Sequence, residues 1–442
     1  MLCRARSAMR LHGRAILACL AAALSSTALF PTAAPAEPPA WIEGTAYAIP
    51  KETTNQGSGY FSIVSGLDGR VYVGCAKYGV NAFLVEFDPT SKAMRVAVDA
   101  HKEIGTTATG FAAQAKIHTR NNVGPSGRIY FGTKQGYPEE GESRDDYLGG
   151  YTMVYDPATG TTRVYPIPVP HQGIISVTPD EDRGVAYVST CSDERPTEST
   201  HFLRLDLATG EYRDLIDCRH MYSFIVVDYR GRAYHPILGG DIARYDPETD
   251  RLERLTQTID GAPPTAESLL GHPESHPINW DISPDGRTLY AVAMSGNQLY
   301  SYDLTSEGAA LEGRSLGKLL VSDNVGNTDC RAMCVGPRGE VWAAVSPGSL
   351  NGDYNPLRLV SYRPGDAASR EHGAVAIANR DYTEFVDAAG EPLPWHQGIV
   401  TTDEGLMTPN TPMGVSQAPD GTVYVLTIAP FTLLEYAQFR FE

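Results

Sequence analysis

Residues 275–304, SHPINWDISPDGRTLYAVAMSGNQLYSYDL, decide the fold. They read as a strand, a Pro-Asp-Gly turn, a second strand, a loop and a third strand ending in an aromatic-Asp-Leu turn. Ile278, Trp280 and Ile282 alternate with polar residues, the period-two signal of a half-buried strand. Gly286 supplies the backbone freedom of the turn, and Tyr290 follows it in the next strand. Alone, this meander leaves its apolar faces wet. It makes sense only with copies stacked against it.

The copies are present. The turn-plus-aromatic signature recurs as DGRVY (68–72), SGRIY (126–130), RGVAY (183–187), RGRAY (230–234), RGEVW (338–342) and DGTVY (420–424). A second turn follows most of them: FDP at Phe87, YDP at Tyr155 and Tyr245, LDL at Leu205, YDL at Tyr302 and YRP at Tyr362. Seven such units in register predict an all-β chain folded as a seven-bladed β-propeller. The last unit lacks an outermost strand, while residues 44–50 (GTAYAIP) alternate like one ahead of the first unit. That segment is expected to complete the seventh blade, because an unpaired edge would leave the ring open.

Residues 1–36 read as an export signal: Arg4, Arg6, Arg10 and Arg14, then an apolar run from Ala15 to Phe30, then Ala34-Pro35-Ala36. The apolar run is short and rich in Ala and Ser for a membrane span. The expected product is a periplasmic or extracellular domain, residues 37–442, acting as a monomer. Losing the four leader arginines moves the formal charge from -17 to about -21. Such acidity argues against nucleic acid or an anionic membrane as partner. It leaves open an anionic substrate, which answers to local charge. Of the remaining cysteines, Cys75, Cys191, Cys218, Cys330 and Cys334, the pair Cys191 and Cys218 is placed for a disulfide at one end of adjacent blades.

Five long connections, 135–150, 192–200, 261–275, 347–356 and 387–412, fall at one face of the disc. Long loops on a rigid scaffold carry function, so the opposite face, with its short turns, reads as structural. Aligning the units on their turn glycine places Lys116 and His118, His171 and Gln172, His220 and Tyr222, His276, and Asp329 and Arg331 at the start of the innermost strands on the decorated face. The ends of the second strands add Lys77, Lys134 and His235, and a loop brings His396. Histidine near neutrality exchanges protons, and Tyr does so beside a cation. His171, His220, His276 and Asp329 would also suit a divalent metal such as Zn, Ca or Mn. The turn Asp residues recur in nearly every unit and therefore serve the turns. Nucleotide-binding glycine loops, HExxH and GxSxG are all missing, which speaks against phosphate, nicotinamide and serine-hydrolase chemistry.

KIHTR (116–120), GRIYFGTKQGY (127–137) and HMYSFIVVD (220–228) resemble exported bacterial propellers related to ulvan lyases. The resemblance implies a polysaccharide lyase, a carbon–oxygen lyase, acting on an acidic polysaccharide or oligosaccharide. His118 and Tyr222 match the pair that removes and returns the proton, and a basic residue neutralises the uronate carboxylate. Lys134 stands where those enzymes often carry a second His, and His235 stands near the Arg expected after Tyr222. Together with the aligned channel mouth this gives His118, Tyr222, Lys134 and Arg331 for chemistry, with Lys116, His171, Gln172, His220 and His235 holding substrate. Two other classes fit the architecture. One is a gluconolactonase-type hydrolase with a metal on the axis near Asn279, Asn327 and Asp329; the other is a binding propeller without catalysis.

Overall fold

The computed structural model describes residues 40–442 apart from 56–60, 193–198, 220–223, 266–277, 323–327, 349–354, 387–388 and 392–397. The repeat unit read from the sequence folds as expected. Strands Ile278–Ile282, Thr288–Ala293 and Gln298–Asp303 form an antiparallel meander, completed outside by Ala310–Lys318. Equivalent meanders follow one another along the chain. Two stand alone as four-stranded sheets, one is five-stranded, and two eight-stranded sheets each combine two meanders through parallel pairing of outer strands.

The innermost strands touch in succession. Ile63–Ser65 meets Asn122–Val123, which meets Gly173–Asp180, then Val226–Val227, Ile278–Ile282, Asp329–Val335 and Pro412–Gln417, which returns to Ile63–Ser65. The closing strand predicted over 44–50 is Trp41–Ala48. It pairs antiparallel with Thr432–Tyr436, Thr45 opposite Glu435, and parallel with Arg370–Ile377, Trp41 opposite Ala374.

Apolar residues collect between neighbouring sheets, not in one central core. Tyr72 and Leu84 of one meander pack with Ile117, Ile129, Phe131 and Tyr155 of the next. Trp280 and Leu289 pack with Phe224, Tyr234 and Ile242 in the same way. This explains the recurring turn aromatics: each fills the layer between sheets, where its burial stabilises by about 1.5–3 kcal/mol. Several buried phenols end on acids, Tyr72 on Asp68 (2.7 Å), Tyr130 on Glu181 (2.7 Å) and Tyr234 on Asp228 (2.9 Å). The turn glycines are required; Gly127 sits at φ +85° and Gly421 at φ +94°. The FDP/YDP aspartates cap their own turns, Asp88 Oδ1 accepting from Thr90 N (2.8 Å) and Asp303 Oδ1 from Thr305 N (2.8 Å).

A buried polar knot lies at Asp228. Its carboxylate accepts from Arg232 Nε (2.7 Å), Tyr234 Oη, and the backbone N–H groups of Arg230 (2.9 Å) and Arg232 (3.0 Å), with the acid side chain fully buried. Asp228→Ala strands a buried guanidinium and two amides, so a loss of about 3–5 kcal/mol is expected in urea unfolding. A loss under about 1 kcal/mol would show that Glu307 and water can replace it.

The expected disulfide is not formed. Cys191 and Cys218 are buried free thiols in different apolar clusters, their Sγ atoms directed to the carbonyls of Ser192 (3.4 Å) and Ile216 (3.9 Å). Standing at the same end of adjacent sheets did not bring the two side chains together.

Candidate functional site

The site begins with an interruption. Lys116–Ile117 and Asn122–Val123 both pair with Ile129–Lys134, but His118–Asn121 between them leave the ladder. Thr119 Oγ1 accepts the Gly132 amide (3.1 Å), and Ser62 Oγ donates to Ile117 O (2.9 Å) and to Thr119 O. These side-chain bonds stand in for the missing ladder. The excursion throws His118 inward. Its ring packs on Phe61 at 5.0 Å and is only 3 % exposed.

The register places Lys116 directly opposite Lys134, and both are buried. Burial is the main cause that holds His118 well below the ordinary histidine pKa, and the charges of Lys116, Lys134 and Arg331 add to it. The imidazole is therefore neutral at physiological pH with three cations around it. Lys116 Nζ lies 4.3 Å from the Tyr137 ring centre and 5.3 Å from that of Tyr78, which compensates its desolvation in part. Arg331 is more open. Its Nε donates to Asp329 Oδ1 (2.9 Å), and its carbonyl accepts from Asn279 Nδ2 (2.8 Å).

Other residues singled out in the sequence go elsewhere. His171, at φ +61°, is exposed and donates through Nδ1 to Tyr147 O (2.7 Å). Gln172 accepts from Thr190 Oγ1 (2.5 Å). His235 is sealed in a layer between sheets. Its Nε2 lies 2.7 Å from Ser189 Oγ, its Nδ1 2.7 Å from Pro236 O, and its ring stacks on Phe202 at 5.2 Å. That placement gives His235 a packing role, because the side chain pointed into the layer and not toward the axis. His220, Tyr222, His276 and His396 lie outside the described residues. Among the described residues no group of three His, Cys, Asp or Glu side chains is arranged to hold a metal. Of the four proposed metal ligands only His171 and Asp329 are described, and each bonds within the protein.

A cavity of about 680 Å³ lies between the innermost strands, and of this cluster Arg331 lines it. Phe61, Phe224, Arg120, Asp281, Asn279 and Arg331 line its inner part, and Pro125, Pro284, Pro337 and Pro419 belong to its rim. That rim is made by the short turns, so the face read as purely structural also frames a hollow. Arg120 Nη2 meets Asp281 Oδ2 at 2.5 Å, joining two meanders across the ring, and Val335 N donates to the same oxygen (2.7 Å). Arg120, the last residue of KIHTR, takes its place only from this contact across the ring. The alternation of INWDI, with Trp280 to one side and Asn279 and Asp281 to the other, was the signal that marks the axis-facing set.

A half-buried histidine, His372, is expected to limit stability in acid. His372 stacks on Trp342 at 4.9 Å, contacts Ser361 Oγ (2.9 Å), and is held down to about 4 chiefly by burial. Because its folded pKa lies below its unfolded value, the unfolded chain binds the proton first as pH falls. Its contribution is whole above about pH 6.5 and lost toward pH 4. Replacing His372 with Phe should flatten the fall in unfolding free energy between pH 6.5 and 5 by up to about 1.4 kcal/mol per pH unit. An unchanged slope would assign that fall to other groups.

No protein-family model matches the chain, and no curated protein matches its sequence. Solved structures do match its shape. The β-propeller domain of Cps50 from Myceliophteria thermophila has a TM-score of 0.52 at 12% identity, covering 89% of this chain and 99% of that one. A catalytically inactive virginiamycin B lyase from Staphylococcus aureus, in complex with quinupristin, has a TM-score of 0.50 at 11% identity, covering 89% and 99%. The extracellular domain of a putative hybrid two-component system from B. thetaiotaomicron has a TM-score of 0.51 at 10% identity, covering 88% of this chain. This chain spans only 39% of that extracellular protein. At these identities the likeness shows the fold alone: an all-β chain of the β-propeller kind. None of these three neighbours is named as a polysaccharide lyase.

Proposed function

We propose that this chain is an exported propeller of seven blades, each eight-stranded sheet counting as two, and that it cleaves an acidic, uronate-containing glycan by β-elimination. One observation carries the reading: His118 is buried against Phe61 two residues after Lys116, which the register sets opposite the buried Lys134, and burial with these charges and that of Arg331 pushes its pKa down. Elimination needs this combination. Cations at the uronate carboxylate make the C5 proton acidic enough to leave, and a neutral base must take it. The C5–H bond breaks, the C4–C5 double bond forms, and the C4–O bond departs with a proton from an acid.

In this reading Lys134 and Arg331 neutralise the carboxylate, His118 is the base, and Tyr222 is the acid that protonates the leaving oxygen. Lys116 adds positive charge from the same cluster. Phe61 lies on His118, so substrate must displace that ring to reach the imidazole. Export rests on the leader motif, and one structural neighbour, an extracellular domain of a bacterial two-component system, supports it.

The test is to incubate the leaderless protein with uronate polysaccharides and follow the ultraviolet absorbance of an unsaturated product, with and without chelator. A chelator-insensitive signal supports the His118 mechanism. Loss of signal on chelation would move the chemistry to a metal, and silence on every glycan would leave a binding propeller. Lys134→Met is expected to lower kcat/KM by at least about 100-fold, because carboxylate neutralisation acts in the transition state. A fall under about threefold would remove Lys134 from the site.

A further inference from the structure

The strongest unassigned feature beside this cluster is aromatic. Tyr137 is 58% exposed although its ring centre lies 4.3 Å from Lys116 Nζ. Tyr78 stands 5.4 Å away at an interplanar angle of 56°, so the two rings form an open V with the ammonium between them. Gly136 lies beside the pair, its Cβ position 3.4 Å from Tyr78 Cδ1 and from Ala115 Cβ, an ordinary contact distance. Val80, on the same short turn as Tyr78, is also exposed.

If Tyr137 served only to cover Lys116, its ring would be spent on that contact. Most of its surface instead meets solvent. A large exposed ring beside buried cations offers two interactions at once: an apolar face for the C–H groups of a pyranose ring, and positive charge for a carboxylate nearby. Its polarity matches a sugar polymer better than a peptide, whose apolar side chains would want a deeper groove.

We propose that Tyr137 and Tyr78 form a stacking subsite for the pyranose unit next to the uronate whose carboxylate meets the lysine cluster. The inference rests on the glycan reading of the site, and it names the residues that would position the polymer without touching the reacting atoms. The two can fail separately, because stacking is measurable without turnover.

The experiment uses the leaderless full chain and its Tyr137→Ala and Tyr137→Phe variants. Calorimetric binding of a uronate trisaccharide, and of the same trisaccharide with its carboxyls reduced to alcohols, is measured together with kcat, KM and melting temperature. Tyr137→Ala should weaken both sugars about five- to tenfold and raise KM to match, with kcat within about twofold, while Tyr137→Phe keeps wild-type values. Lys116→Met should weaken only the acidic sugar. If no glycan is cleaved but these affinities change as stated, the subsite stands and the lyase reading falls. Unchanged affinities in Tyr137→Ala with a lowered melting temperature would overturn the subsite and leave Tyr137 as a cover for Lys116. Absence of binding of either sugar to the wild-type chain would overturn it as well.

Discussion

Replacing His118 with alanine is expected to bring the elimination rate to background, a loss of at least about 100-fold and up to about 10,000-fold in kcat, the usual contribution of a positioned general base. The argument starts from the broken strand. Because His118–Asn121 leave the ladder, the imidazole turns inward and its ring packs on Phe61. Burial and three neighbouring cations keep it neutral. The pH profile carries the same signature. A base must be unprotonated to act, and a depressed pKa extends that state to more acid solution. The limb of kcat/KM attributable to His118 should therefore stay flat down through pH 6.5 and fall only well below it. An acid limb centred at about 6.5, the value of an ordinary exposed histidine, would disconnect the base from this buried residue. Circular dichroism of His118→Ala separates lost chemistry from lost folding, and His118→Gln, which keeps most of the contact with Phe61, serves as its partner.

Deleting the strand Trp41–Ala48 should cost most of the stability of the domain. The strand joins Thr432–Tyr436 on one side and Arg370–Ile377 on the other, so its loss leaves two ladders without partners. Tyr436, wholly buried, also lies against Gly44, where a Cβ would stand 2.8 Å from the ring. Removing the strand would wet that ring and bare Leu433 and Leu434 beside an open edge, an invitation to aggregation. Domains are stable by about 5–15 kcal/mol in total, so a chain starting at Ile49 is expected to be insoluble or to melt more than about 10 °C lower. Adding the excised segment as a separate peptide should restore part of the loss by mass action. A deletion variant that melts within about 2 °C of the parent would show that the ring holds without this closure.

Local order was legible in the chain itself. The turn glycines, the aromatics after them and the turn aspartates have meanings set within a few residues, by φ, by period two and by Asx hydrogen bonding. That is why the meanders, the closing strand and the structural role of the repeated Asp could be read directly. Departures from the repeat also pointed to Lys116, His118, Lys134 and Arg331, which the structure brings together.

Tertiary structure alone decided what those positions face. His235 and His118 looked equivalent as strand-end histidines, yet one is sealed against Phe202 and the other sits under Phe61 at the axis. Cys191 and Cys218 were expected to meet and do not. Arg120 and Asp281 join across 161 positions of sequence, and Tyr78 reaches Tyr137 from a neighbouring meander. No local pattern encodes such meetings, because they depend on where a strand leaves its ladder and on how the ring turns each sheet toward the next. The sequence by itself determined a ring of repeated β-meanders and the residues that break the repeat. Register and ring closure decided which of those residues are buried side by side, as Lys116 is with Lys134, and which stay apart.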